Sequence, residues 1–272
     1  MNYINCKNTL NPVDMRKSVA FWAQNTVEHI ASLKKLPGST SAVLYPDFTA
    51  ELDSLSSSFK KISELYHSKE DSRLPAKPDF LFKENRKLIN LLERMKFEGF
   101  GGYPYLQQSI FHYIYEQRYI NAIFGITNTG QGLITIRFSG MGNYPFICMY
   151  NQMYFWSVIG AMHPSLLIGS EAFYRTASVR TRNFLTEITN RFNSVCYALS
   201  SLKKPIERQE LAAVFKRFQK LNTEFLNFLS ELKSGSGGEL PQSFYETVNH
   251  MWQEHTLVKE LNDTMAERLL RP

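Results

Sequence analysis

The sequence predicts an all-α protein with two tandem up-down four-helix bundles, related by internal duplication and joined by a short non-helical linker. Three observations support this prediction. Apolar residues recur at spacings of three and four along most of the chain, which is the periodicity of one helix face. Glycine and proline clusters divide each half into four such segments. Short motifs also recur in the same order in the two halves.

Each half is predicted to contain four helices. Pro37-Gly38 ends the first helix, and Pro205 separates two helices of the second half, because proline and glycine interrupt helical hydrogen bonding. The loops SRLPAKPD (72–79) and SGSGGELP (234–241) have the same effect. The predicted helices span residues 14–36, 47–67, 79–97, 105–125, 149–171, 178–201, 206–233 and 240–269.

Residues 127–143 (TNTGQGLITIRFSGMGN) break the helical pattern. We therefore assign residues 1–128 to the first bundle, 129–143 to the linker and 144–272 to the second bundle. Within the linker, GLITIRF is compatible with a short strand or with a linker segment that packs between the bundles.

The repeat is defined by motifs that lie about half the chain apart. Phe21-Trp22 is followed by His29, and Phe155-Trp156 by His163. Near the end of each half stands His-x-x-x-Glu. Conserved order across several motifs is the pattern expected of a duplicated architecture.

Composition excludes several classes of protein. The net charge is +6 and the lysine pairs are scattered, so we expect no nucleic-acid binding. Three cysteines cannot form a disulfide framework, and we interpret Cys196 as core packing. No signal pattern or membrane span is predicted, since polar residues interrupt the apolar window 144–162, and we expect a cytoplasmic protein. Self-association into a homo-oligomer stays open.

Helical geometry directs a set of polar side chains into the two predicted cores. With His112 at zero and about 100° per residue, Glu116 lies at about 40°, within an apolar stripe. His250 and Glu254 lie on an apolar face in the same way. On the first helix of each half, His29 and His163 share a face with a tryptophan.

Two imidazoles and one carboxylate on facing helices are a common way to hold a metal ion inside a bundle. An ionised carboxylate is costly to bury unless it is paired or binds a metal. We therefore predict metal binding, with iron first and manganese or zinc as alternatives. The candidate ligands are Glu28, His29, His112, Glu116, His163, His250 and Glu254.

The alternative is a non-catalytic structural or assembly protein, in which His and Glu form buried hydrogen-bonded pairs without metal. A full di-iron centre is not expected, because such bundles use Glu-x-x-His on two helices. The only Glu-x-x-His of this chain, Glu64 to His67, lies off the apolar face of its helix and is interpreted as a solvated end.

The order of these motifs resembles a bacterial family of unknown function with two tandem ferritin-like four-helix bundles. Phe21, Trp22, Glu28 and His29 match the family's first-helix pattern, and the second half matches it without the Glu. Both His-x-x-x-Glu motifs match the last-helix pattern. The further His that often follows is replaced by Tyr119 and Leu257. The resemblance implies a ferritin-like fold and a metal site, and no known reaction; an iron- and dioxygen-dependent oxidoreductase is one expectation.

Overall fold

The computed structural model describes residues 12–35, 46–67, 79–97, 104–123, 144–203, 205–234 and 241–269. Helices dominate these ranges, which confirms the all-α prediction. The predicted linker 129–143, including GLITIRF, lies outside the described residues. The helices are α1 (Pro12–Lys35), α2 (Pro46–His67), α3 (Asp79–Phe97), α4 (Pro104–Ile123), α5 (Tyr144–Gly169), α6 (Glu171–Thr176), α7 (Val179–Ser200), α8 (Arg208–Lys233) and α9 (Gln242–Leu269).

Local sequence explains several helix ends. Pro12, Pro46 and Pro104 occupy the first positions of α1, α2 and α4. Proline suits this position because it has no N–H to leave unsatisfied and its φ is already helical. At the start of α7, the Ser178 hydroxyl accepts a hydrogen bond of 3.0 Å from the backbone N–H of Thr181, which is a standard N-cap.

Two features of the second half differ from the sequence prediction. Helix α5 begins at Tyr144 rather than at residue 149, because Pro145 falls in its first turn, where proline is tolerated. The short helix α6 was not predicted, since six residues are too few for apolar periodicity to be detected. No helix in the described part of the chain is both long and apolar enough to cross a membrane.

The chain divides into two compact units, which we call unit 1 (Met1–Leu133) and unit 2 (Ile134–Pro272). In unit 1, α1 packs against α2 and α4, and α3 packs against α2 and α4. In unit 2, α5 packs against α7 and α9, and α8 packs against the same two helices. Each unit therefore brings its first and last long helices into contact.

The apolar stripes predicted from the sequence form the cores. The four apolar residues that repeat between α2 and α7 are buried in both units, as the spacing of three and four requires. They are Leu52, Leu55, Phe59 and Ile62 in α2, and Leu185, Ile188, Phe192 and Val195 in α7. The Phe-Trp pair makes an edge-to-face contact in both units, with ring centroids 5.3 Å apart for Phe21–Trp22 and 4.9 Å apart for Phe155–Trp156.

Close packing of α5 against α7 depends on a glycine. A Cβ atom added to Gly160 would lie 2.5–2.7 Å from three ring atoms of Phe192. Non-bonded carbon atoms do not approach so closely. The Phe192 ring is fully buried and has little room to move. Glycine at this position therefore allows the two helices to approach.

We predict that Gly160→Ala lowers the free energy of unfolding by about 1–3 kcal/mol. The overpacking penalty exceeds the gain of about 1 kcal/mol that alanine brings to a helix interior. Urea unfolding followed by circular dichroism measures the change. In a Phe192→Leu background, the penalty for Gly160→Ala should shrink, because the clashing ring is absent. An equal penalty in both backgrounds would contradict this explanation.

Candidate metal centre

In unit 1, the candidate residues of α1 and α4 lie together in the core. His29 is on α1, and His112 and Glu116 are one turn apart on α4. All three are buried, with 1%, 2% and 0% of their surface exposed. The predicted inward orientation is therefore observed, and contact between α1 and α4 brings the three side chains together.

The Glu116 carboxylate lies between the two imidazoles of unit 1. Its Oε2 is 3.3 Å from His29 Nε2, and its Oε1 is 3.4 Å from His112 Nε2. The two rings are tilted at 75° with centroids 5.7 Å apart. Each oxygen thus faces the Nε2 atom of a different histidine.

Unit 2 repeats this arrangement on α5 and α9. Glu254 Oε2 is 3.0 Å from His163 Nε2, and Glu254 Oε1 is 3.3 Å from His250 Nε2. All three residues are buried. The match extends to the pairing of groups, since in both units one carboxylate oxygen faces the first-helix histidine and the other faces the last-helix histidine.

Each of these N–O distances fits a pair of donor atoms that bind one metal ion. Two ligands with bonds of about 2.1 Å lie about 3.0 Å apart at a right angle and about 3.4 Å apart at the tetrahedral angle. The four N–O distances, 3.0–3.4 Å, fall in this range. Imidazole nitrogen with carboxylate oxygen is also a donor set that iron, manganese and zinc accept. The buried His and Glu side chains therefore could hold a metal ion.

The electrostatics of the core require a positive partner for each carboxylate. Among the described residues, the buried polar and charged side chains include no lysine or arginine. Burial acts to raise the pKa of the Glu254 carboxyl, but the charge of His250 and the hydrogen bond from His163 outweigh it and hold that pKa well below its usual range. Glu254 is thus ionised at neutral pH.

In unit 2, a second layer of polar residues surrounds His163. Its Nδ1 is 3.0 Å from His255 Nε2, and His255 Nδ1 is 2.6 Å from Asn222 Oδ1 on α8. Burial and the neighbouring His163 hold the pKa of His255 well below its usual range, so this ring is neutral. Sequence reasoning did not select His255, because it lies about 140° around the helix from His250 and so off the stripe used to identify ligands.

In unit 1, different residues occupy the corresponding places. Gln117 follows Glu116 as His255 follows Glu254, and its amide donates a 2.9 Å hydrogen bond to Thr26 Oγ1. Thr26 in turn donates to the backbone carbonyl of Trp22 at 2.8 Å. Asn25 Nδ2 lies 3.5 Å from Glu116 Oε2. The two units thus share a His-Glu-His geometry but differ in what surrounds it.

Two other acidic residues discussed for the sequence, Glu28 and Glu64, are not fully buried. Glu28 is half-buried, and its Oε1 accepts a hydrogen bond of 3.2 Å from Gln24 on the same helix. Its role as a ligand stays a prediction. Glu64 and His67 are exposed at the end of α2, and His67 Nδ1 contacts the Ser63 carbonyl at 2.9 Å. This agrees with their interpretation as a solvated helix end.

Two tyrosines of α4 lie in the core of unit 1. The Tyr113 ring stacks on His29, with centroids 4.1 Å apart and an angle of 25°. The second tyrosine is Tyr119. Tyr119 is buried, and burial with the nearby Tyr115 raises its pKa well above the usual value. The Tyr119 phenol is therefore protonated at neutral pH, whereas Tyr113 packs its ring against the face of the His29 imidazole.

Comparisons with known proteins identify no relative of this chain. No family model matches the chain, and no curated protein or solved structure shows significant similarity to it.

A nucleophilic role for Cys196 is not supported by its surroundings. Burial raises the pKa of the Cys196 thiol to about 11, against smaller opposing effects that include a hydrogen bond with Ser157. The nucleophile in cysteine chemistry is the thiolate. At neutral pH, this side chain is therefore a protonated packing residue.

We predict that iodoacetamide alkylates Cys196 in the folded protein about 100-fold more slowly than in the unfolded chain at pH 8, because the raised pKa removes the thiolate. Peptide mass spectrometry resolves this cysteine from Cys6 and Cys148. The same peptide alkylated in guanidinium chloride is the control. Similar rates in the folded and unfolded states would show that the thiol is activated.

Proposed function

We propose that this protein binds a divalent metal ion through the His-Glu-His set of each unit. His29, His112 and Glu116 would supply the donors in unit 1, and His163, His250 and Glu254 those in unit 2. The observation that carries the proposal is the repeated placement of a fully buried carboxylate between two imidazole Nε2 atoms at 3.0–3.4 Å.

Charge balance supports this proposal. A buried carboxylate without a positive partner destabilises the fold by several kcal/mol. Imidazoles compensate that charge only in their protonated form, whereas a divalent ion compensates it directly and binds the nitrogen atoms that face the carboxylate. The same argument holds in both units, which have different surroundings but the same three residue types.

We propose iron as the first candidate, with manganese and zinc as competitors. Two histidines and one carboxylate with open positions form the donor set of non-haem iron oxygenases. Three protein donors leave positions for water or dioxygen, so oxidation by dioxygen is the class of reaction that this donor set favours. The protein residues would orient the ion and exclude bulk water from it.

The duplicated architecture belongs to the same proposal. In each unit, four long helices pack in a closed order in which the first contacts the last, as in a four-helix bundle. The Phe-Trp pairs and the His-Glu-His sets recur at corresponding positions. We propose that the two units are duplicated ferritin-like bundles.

A second candidate function is a structural bundle protein without metal. The distances of 3.0–3.4 Å also fit N–H···O hydrogen bonds from protonated imidazoles to the carboxylate. In that case each set would fix the helix register as a buried ion pair. The two candidates differ in their dependence on metal.

We predict that the purified full-length protein, loaded anaerobically with iron(II) and then dialysed, retains stoichiometric iron, whereas His29→Ala and His250→Ala each lose part of it. Elemental analysis measures the iron content, and the molar ratio of iron to protein gives the number of ions bound per chain. Bound metal should also raise the melting temperature, because a ligand present at about 100 times its Kd stabilises the folded state by about 2.7 kcal/mol.

His67→Ala is the matched control, because it removes an exposed imidazole outside both sets. It should leave the iron content and the melting temperature unchanged. Parallel loading with manganese and zinc ranks the metals. A protein that retains no metal after any loading, and whose melting temperature does not respond to a chelator, would contradict metal binding and favour the structural function.

A further inference from the structure

Asn222 fixes the position of a proton on His255. The Asn222 Nδ2 group donates to the backbone carbonyl of His255 at 3.1 Å. Because that carbonyl can only accept, the other amide atom, Oδ1, must be the one that faces His255 Nδ1, at 2.6 Å. An amide oxygen also only accepts, so His255 Nδ1 carries the proton of this hydrogen bond.

The proton on His255 Nδ1 determines what its other nitrogen does. The His255 ring is fully buried among an amide, an imidazole and phenyl rings, and such surroundings favour the uncharged ring. An uncharged imidazole has one N–H, so His255 Nε2 is an acceptor. It lies 3.0 Å from His163 Nδ1, which must therefore donate. The opposite nitrogen of His163, Nε2, is the atom 3.0 Å from the Glu254 carboxylate.

Packing holds this chain of hydrogen bonds in place. His255 and Asn222 are fully buried. The Phe225 ring, on the same helix as Asn222, meets the His255 ring edge-to-face at 88° with centroids 4.8 Å apart. The His163 and His255 rings are tilted at 69°. Rotation of either imidazole would break its hydrogen bonds and disturb these contacts.

We infer that His255, held by Asn222, is a positioning residue that keeps a proton of His163 on Nδ1 and presents Nε2 to a metal ion. The inference rests on the proposed function. Histidine ligands generally donate their second N–H to a fixed acceptor, which orients the ring and makes the ligand nitrogen more basic. Here, the acceptor is a second imidazole.

This arrangement distinguishes the two units. The residue after the glutamate in unit 1 is Gln117, whose amide group donates to Thr26. The amide nitrogen of Gln117 is used on Thr26, and the acceptor imidazole of unit 2 has no counterpart at this position of unit 1. We therefore expect the His163 site to lose affinity when His255 is replaced by a side chain that cannot accept a hydrogen bond.

The first test reads the protonated nitrogen directly in the full-length protein. Long-range ¹H–¹⁵N spectra of histidine-labelled protein separate protonated from unprotonated ring nitrogens, and His163→Gln assigns the signals. We expect His163 Nδ1 to be protonated both without metal and with zinc(II), a diamagnetic probe. His163 with an unprotonated Nδ1 would overturn the inference.

The second test measures zinc(II) affinity at this site by following the His163 signals in competition with a chelator. We expect His255→Leu and Asn222→Leu each to weaken binding by about 10–100-fold, because the first removes the acceptor and the second releases it. Asn85→Leu is the matched control, because Asn85 is a buried asparagine of α3 that bonds Asn121 rather than a histidine. It should leave His163 and its zinc affinity unchanged.

The outcomes separate this inference from the proposed function. If wild-type protein binds zinc and both variants bind it within about twofold as tightly, His255 is not a positioning residue and metal binding stands. If wild-type protein binds no metal, the proposed function fails, and the protonation of His163 Nδ1 still decides the role of His255. If either variant fails to fold, the wild-type spectrum decides alone.

Discussion

A carboxylate buried between two imidazoles is the constraint on which the rest of the site depends. Glu116 and Glu254 are fully removed from solvent, and an ionised carboxylate is stable there only beside a positive charge or a set of donors. Within the described core, histidines are the side chains that meet this need. The contact between the first and last helices of each unit therefore does more than bury apolar surface, because it completes the surroundings of this charge.

The same geometry recurs in two units whose local sequences differ. The imidazole that faces Oε2 comes from the first helix in both, and the one that faces Oε1 lies a turn before the glutamate on the last helix. Around this common set, unit 1 has an amide–hydroxyl pair and unit 2 has an imidazole–amide pair. Residues that contact a metal-binding side chain change its basicity and orientation. Two sets with the same residue types can therefore differ in their affinity for a metal ion.

Much of this site could be predicted from helical periodicity. A step of about 100° per residue places Glu116 beside His112 and Glu254 beside His250, whatever the rest of the fold does. The same rule does not find His255, which lies about 140° from His250 and faces a different helix. Its partner Asn222 is one polar residue among the buried leucines and phenylalanines of α8. An asparagine within an apolar stripe indicates a buried hydrogen bond, but its partner His255 lies 33 positions away in the sequence.

The sequence by itself determined the all-α class, most helix boundaries, and the helix faces that carry His29, Glu116, His163 and Glu254, because these follow from short-range spacing and from where proline interrupts hydrogen bonding. Only the tertiary structure decided which histidine nitrogen faces which carboxylate oxygen, that Tyr113 stacks on His29, and that His255 stands behind His163. Those relations join residues on different helices. They depend on how the helices pack, which periodicity along a single helix does not specify.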